Sequence, residues 1–156
     1  MATVFEKGPY LEAALLCEKI LNEADGVKSV IRIIDRVTHH PPVADPTAEM
    51  VPFDYQMFLF IRFKSGEARG PMTLQIKIVN PLGESPVPMR NSILFEGEED
   101  RGADICIDLR LKFTQSGLYW FVISLNDQEL TRVPFKVIYM PQIMQTLPGT
   151  DNPPQV

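Results

Sequence analysis

The residues best suited to acid–base or metal chemistry are the two adjacent histidines, His39 and His40, with Asp35 four residues before the first and Asp45 further on. Neighbouring side chains of an extended segment point to opposite faces. One metal ion would therefore need a special turn to bind both imidazoles. We predict that the pair lies in a solvated loop and that no metal binds there.

The acidic segment 96–104 is the second cluster with metal-binding chemistry. Calcium takes about six to eight oxygen ligands, and loops at the end of a β-sandwich can supply several carboxylates. A second loop must contribute, but neither segment 81–89 nor segment 39–52 is rich in carboxylates. The segment is therefore predicted to be a solvated loop with no metal.

Motifs for nucleophilic or nucleotide chemistry do not occur in the chain. It has no G-x-S-x-G nucleophile elbow, no P-loop and no G-x-G-x-x-G after a strand. We therefore expect no catalytic residues, no cofactor and no enzymatic activity, with an enzyme of unrecognised type as one alternative.

Charge and composition restrict the classes of partner and the compartment. The net charge is −5 and the 15 Lys and Arg residues are scattered, which argues against nucleic acid. No apolar run reaches the length of a membrane span, and the N-terminus has no signal-peptide pattern. Cys17 and Cys106 lie in apolar segments without metal-ligand spacing. These features predict a cytoplasmic protein with no membrane partner, whose cysteines are reduced packing residues.

Five segments alternate apolar and polar residues with period two, which is the pattern of half-buried strands. The inward residues are predicted to be the odd-numbered ones of 55–63, 105–113, 119–125 and 131–139, and the even-numbered ones of 72–78. Turn signals separate these segments. The pattern predicts an all-β, immunoglobulin-like β-sandwich of about seven to nine antiparallel strands.

Three local signals support this order of strands. Gly117 stands two residues before Tyr119 at the start of a strand, as in the tyrosine corner of immunoglobulin-like domains. Asn126-Asp127 then predicts a hairpin to the last long strand. Pro134 lies within that strand and lacks a backbone N–H, so the strand is predicted to be an edge.

The first segment, residues 11–21, supports two interpretations. Its composition favours a helix. However, Asp25-Gly26 is a turn signal, and the β-branched run 30–34 follows it directly, so a hairpin of two strands is equally simple. We expect a strand, with a short helix as the alternative.

Proline and glycine positions set the domain bounds. Residues 1–9 are predicted to be an N-terminal tail and residues 10–139 a single β-sandwich domain. Residues 140–156 combine Pro, Gly, Asn and Thr without periodicity, which predicts a flexible Pro-rich C-terminal tail.

Several of these motifs together resemble those of a family of small uncharacterised bacterial β-sandwich proteins. They are Leu16-Cys17-Glu18, Asp25-Gly26, Ile33-Ile34-Asp35-Arg36, Gly117-Leu118-Tyr119-Trp120-Phe121 and Pro134. The resemblance covers roughly residues 10 to 139. It implies a bacterial cytosolic origin and a first hairpin in place of a helix, and it implies no activity.

The outward residues of two strands suggest a binding surface. If segments 53–64 and 118–125 are strands C and F, they pair in one sheet. Their outward side chains then form one aromatic patch, which consists of Phe58, Phe60, Trp120 and Val122 with Arg62 at its rim. Such patches are typical of protein interfaces. The alternative is that the N-terminal segment or the Pro-rich loop folds over it.

The leading functional hypothesis is therefore a non-catalytic protein-interaction or assembly module, whose partner is an unknown protein or a second copy. A small-ligand or carbohydrate-binding β-sandwich is the alternative. In that case Trp120 and Tyr55 are the first stacking candidates.

Overall fold

The protein is described here by a computed structural model covering residues 6–45, 47 and 49–144. Regular structure in this part of the chain consists of strands only, and it contains no helix that could cross a membrane. The strands are β1 (Tyr10–Asn22), β2 (Lys28–Ile33), β3 (Arg36–His39), β4 (Pro42–Val43), β5 (Phe53–Lys64), β6 (Arg69–Val79), β7 (Met89–Glu96), β8 (Gly102–Phe113), β9 (Gly117–Leu125), β10 (Gln128–Tyr139) and β11 (Gln142–Ile143).

Nine of these strands form two sheets. Sheet A has the order β2-β1-β5-β8, and sheet B has the order β3-β10-β9-β6-β7. Neighbouring strands within them are antiparallel except β3 and β10, and the short β4 and β11 pair separately. Strands β1, β5 and β8 take the positions of A, B and E in an immunoglobulin-like sandwich, and β6, β7, β9 and β10 those of C, C′, F and G. The predicted fold class is confirmed.

The core between the sheets confirms the predicted direction of the side chains. The predicted inward residues of all five segments, except Thr131 and Tyr139, belong to one hydrophobic cluster or pack against it. Phe113 lies at its centre, with ring centroids 5.0 Å from Tyr119 and 6.0 Å from Phe135. Burying side chains of this size stabilises the fold by about 1.5–3 kcal/mol each.

The first segment is a strand, and the predicted hairpin is confirmed. Strands β1 and β2 pair antiparallel around a turn in which the Gly26 N–H donates to the carbonyl of Glu23. β1 pairs with β5 only as far as Cys17, and from Lys19 to Asn22 it pairs only with β2. The end of the hairpin is thus free to leave the plane of sheet A.

The prediction that the last long strand is an edge is wrong for the last third of its length. β3 pairs in parallel with β10 from Lys136 to Tyr139, while Pro134 lies just before that pairing starts. The missing N–H of Pro134 therefore removes no hydrogen bond between β10 and β3. The turn before β10 is as predicted. Asn126 and Asp127 both have positive φ, as a two-residue type I′ hairpin requires.

The chain remains regular beyond the predicted domain end, because β11 lies within segment 140–156 and pairs with β4. Residues 145–156 of the predicted C-terminal tail and residues 1–5 of the predicted N-terminal tail lie outside the described residues.

Candidate interaction surfaces

The single aromatic patch predicted from Phe58, Phe60, Arg62, Trp120 and Val122 does not exist. The first three lie on β5 in sheet A, and the last two lie on β9 in sheet B. All five point away from the core, so they occupy opposite outer faces of the sandwich. The error lies in the strand assignment: counting the first hairpin as strands A and B makes β5 the third strand, whereas β5 takes position B.

On the outer face of sheet A, the chain covers much of the predicted patch itself. Phe60 is only 6% exposed although it lies outside the core. It lines a cleft of 550 Å³ whose other walls include Val27, Lys28 and Val30 of the first hairpin. The end of the hairpin therefore folds back over β5 and β8. This outcome matches the alternative in which the N-terminal segment covers the aromatic side chains.

Arg62 at the edge of this cleft is held by two carboxylates. Its guanidinium lies 2.7 Å from Glu12 and 2.6 Å from Asp104. Burial alone would lower the pKa of Arg62, but hydrogen bonds to these two carboxylates and their charges raise it overall. Gly102 leaves room for the guanidinium, because a Cβ there would lie 2.7 Å from one of its nitrogens. Arg62 on β5 thus links this strand to β1 and β8 through two ion pairs.

The outer face of sheet B presents Trp120 on a flat surface. Trp120 is half-buried and pairs in register with Val79 on one side and Pro134 on the other. Leu118, one position along the same face, is 40% exposed. These four residues are the apolar centre of a surface that we call the Trp120 face.

Cations surround the Trp120 face. Val122 beside Trp120 is only 9% exposed because it lies between Lys77 and Arg132, whose aliphatic stems flank it. The outward basic residues of sheet B are Arg36, Arg69, Lys77, Arg90, Arg132 and Lys136.

Two of these cations have carboxylate partners on the surface. Arg132 is paired with Glu129 at 2.5 Å, and Arg36 is 3.3 Å from Asp35. Lys77, Arg90 and Lys136 form no ion pair with another described residue. A chain of net charge −5 therefore presents a locally basic face.

The structural residues of the tyrosine corner lie beside this face. The Tyr119 hydroxyl donates a hydrogen bond to the carbonyl of Gln115 at 3.0 Å, the bond that a tyrosine corner requires. Gly117 has a φ of +128°, and a Cβ there would lie 3.0 Å from Pro81. Both contacts fix the start of β9 and hence the position of Trp120.

The remaining candidates for chemistry are engaged in structural contacts, and the prediction that both histidines lie in a solvated loop is wrong for His39, which is the last residue of β3 and is half-buried. His39 stacks on Phe53 at 4.0 Å, whereas a ring nitrogen of His40 lies 3.1 Å from the carbonyl oxygen of Met140. In segment 96–104, Arg101 pairs with Glu96 at 2.8 Å and with Glu98 at 3.5 Å. Within the part of the chain that the structure describes, no three His, Cys, Asp or Glu side chains converge as a metal ion would require.

Three further predictions concern single residues. Cys17 and Cys106 are both free, but only Cys17 is buried, so the interpretation of Cys106 as a packing residue is wrong. The cause is that Cys106 lies on the outer face of β8, which is an edge strand. Tyr55 is also misplaced as a stacking candidate, because its ring packs against Phe113 and Phe135.

Comparison with known proteins gives a family without an assigned activity. No curated protein matches the chain. Among solved structures, it is similar to an immunoglobulin-like protein from Pseudomonas aeruginosa with 16% identity over 78% of this chain and 90% of the other, at a TM-score of 0.33. The resemblance to an uncharacterised family is confirmed by a sequence match that spans residues 12–138. The chain belongs to the family of unknown function DUF6941.

Proposed function

We propose that this chain is a non-catalytic protein-interaction module that binds an acidic surface of a partner protein through the Trp120 face. The observation that carries the proposal is the half-exposed Trp120 between Val79 and Pro134, on a regular sheet and within a ring of cations. Aromatic residues and arginine are enriched in protein interfaces, and tryptophan is among the commonest hot-spot residues.

Charge favours an acidic partner. Lys77 and Lys136 are exposed and have no ion-pair partner among the described residues, so carboxylates on another protein can pair with them without breaking an existing contact. Complementary charge of this kind accelerates association and selects among partners. Nucleic acid also carries negative charge, but a single tryptophan offers few stacking positions for successive bases.

A small-ligand-binding function is the second candidate, and the cleft in sheet A favours it. Its volume of 550 Å³ is within the usual range for ligand sites, and Phe60 and Arg62 line it together. However, Arg62 is already paired with Glu12 and Asp104, so its charge is not free for a ligand. On the Trp120 face, by contrast, Lys77 and Lys136 have no ion-pair partner among the described residues and can bind a partner directly.

The test compares capture of a partner from the native source by the wild-type chain and by Trp120→Ala, after nuclease treatment. We expect the substitution to weaken binding of the captured protein by about 2 kcal/mol, as for a hot spot, while the domain stays folded. Leu94→Ala is the matched control. Leu94 is 65% exposed on the same outer face, but it pairs with Pro71 at the other end of β6.

A second variant keeps the result interpretable if Trp120→Ala loses stability. Lys77→Glu combined with Lys136→Glu changes only exposed charges, and it should weaken capture and reduce its dependence on salt. Capture that survives both variants would contradict the proposal. Capture that nuclease abolishes would assign the face to nucleic acid instead.

A further inference from the structure

The strand β8 has one free edge along its whole length. It pairs with β5 through twelve consecutive residue pairs, from Gly102 to Phe113, without a register shift. Among the described residues it has no neighbour on its other side, since it ends sheet A. It contains neither proline nor an internal glycine. Long, regular edges with these properties are templates for pairing with another strand.

The other edge strands are shorter. β2 has 6 residues, β3 has 4 and β7 has 8. β2 is also interrupted by Arg32, which has a positive φ of 55°. A bulge, a short length, a proline or exposed charges are how edge strands normally avoid unwanted pairing. In the described structure β8 has no bulge, proline or short length, and outward charges are its protection against unselective pairing.

An apolar groove runs along the free edge. It has a volume of 420 Å³ and lies between β8 and the edge of sheet B. Its walls include Leu109 and Leu111 from β8, Ile76 and Ile78 from β6, and Val87, which is 92% exposed. A strand added to β8 would place alternate side chains over this groove, as in recognition by β-strand addition.

The charges of β8 are complementary to the same strand running in the opposite direction. Its outward residues Asp104 and Asp108 are acidic, and they precede the basic Arg110 and Lys112 along the strand. Antiparallel pairing of two copies about Leu109 therefore places Asp108 of each copy opposite Arg110 of the other. Asp104 is held by Arg62, and Asp108 accepts a hydrogen bond from the Gln56 amide at 3.0 Å. The Arg110 side chain is 77% exposed and lies 3.5 Å from Asp108 of its own chain, which is the long end of hydrogen-bonding distance.

We propose that two copies of this chain associate through antiparallel pairing of their β8 strands, with the two-fold axis at Leu109. In this register Asp108 of each copy lies opposite Arg110 of the other, and Ile107 lies opposite Leu111 on the groove side. The contact is isologous, so it closes as a dimer rather than extending into a fibre. Sheet A becomes a continuous sheet across both copies.

The experiment is a charge exchange followed by measurement of molar mass by light scattering. The wild-type chain should have twice its mass of 17.7 kDa. Asp108→Arg and Arg110→Asp each place like charges opposite one another twice, and each should weaken association by about tenfold or more. An equimolar mixture of the two variants restores both opposite-charge pairs, and it should restore the dimer.

Asp35→Arg is the matched control for Asp108→Arg. It makes the same charge change on the exposed segment just before β3, which is the edge of sheet B opposite β7. It should leave the mass unchanged. A wild-type monomer, a dimer that survives both β8 variants, or a mixture that stays monomeric would each overturn the proposal. A chain that dimerises only after residues 145–156 are removed would overturn it as well. Trp120→Ala should not affect the dimer, so the two surfaces are tested separately.

Discussion

Tyr119 links the packing of the core to the geometry of the surface. Its ring lies in the core beside Phe113, while its hydroxyl donates to the carbonyl of Gln115 in the turn before β9. Trp120 is the next residue and points the opposite way. Any movement of Tyr119 therefore changes the position of Trp120 on the outer face.

We expect Tyr119→Phe to lower the free energy of unfolding by about 1 kcal/mol, because it removes one part-buried hydrogen bond and leaves the Gln115 carbonyl unpaired. For a chain of this size the melting temperature should fall by about 2–4 °C. Tyr10→Phe is the matched control, since its hydroxyl also contacts the carbonyl four residues before it, but at 3.4 Å and exposed to solvent. Equal losses in the two variants would contradict a special role for Tyr119.

The direction of each side chain is the property that the sequence predicts best. Period-two alternation separated Phe121 from Trp120 and Leu59 from Phe60 correctly, because a strand has no other way to place successive residues. Exposure was harder to predict. Phe60 points outward and is nevertheless covered, since burial on an outer face depends on which distant segment folds over it.

At the scale of elements, the end of the hairpin of β1 and β2 covers part of the outer face of sheet A. β1 separates from β5 after Cys17, which allows the hairpin end to turn over the sheet. Val27 and Val30 then supply apolar contacts beside Phe60.

Phe60→Ala should therefore behave as a core substitution and cost about 3–5 kcal/mol in the free energy of unfolding. Phe58→Ala on the same face is the control and should cost less, because Phe58 is half-exposed rather than covered. The measurement is denaturant unfolding of both variants. Similar small losses would show that the hairpin does not cover Phe60 in solution.

The sequence could not predict which strands share a sheet, and the reason is physical. Alternation reports which face of a strand is buried, but it carries no information about the neighbouring strand. The pairing of β5 with β1 and β8 instead of β9 depends on contacts between residues at least 38 apart in the sequence. Assigning strands to immunoglobulin positions by their order along the chain fails when the chain contains an additional strand, and here that strand is β2.

At the scale of the whole molecule, charge is distributed unevenly over the two sheets. The outer face of sheet B is mainly basic, whereas the outer face of sheet A carries both signs, with Glu12, Asp104 and Asp108 beside Arg62, Arg110 and Lys112. An overall negative charge keeps copies of the chain apart in general. At the proposed β8 contact, the pairs of Asp108 and Arg110 oppose this repulsion between copies.

Stability of the whole molecule should fall at alkaline pH. Burial raises the pKa of Cys17, Tyr55 and Tyr119 above their ordinary values. The unfolded chain therefore loses these protons at a lower pH than the folded one, at about 8.5 for thiols and about 10 for phenols. The stabilisation is complete below those values and is lost as pH rises through them.

Urea unfolding between about pH 7 and 10.5 measures this loss as a falling free energy of unfolding. Cys17→Ala should flatten the first part of the decline, because Cys17 is the fully buried thiol, and Tyr119→Phe should flatten the later part. Each variant removes one titrating acid, so its curve should approach the wild-type curve as pH rises, even if its stability at pH 7 is lower. Curves that stay parallel across the range would mean that these groups titrate alike in the folded and unfolded chains, and that the burial of both side chains in solution differs from the burial seen here.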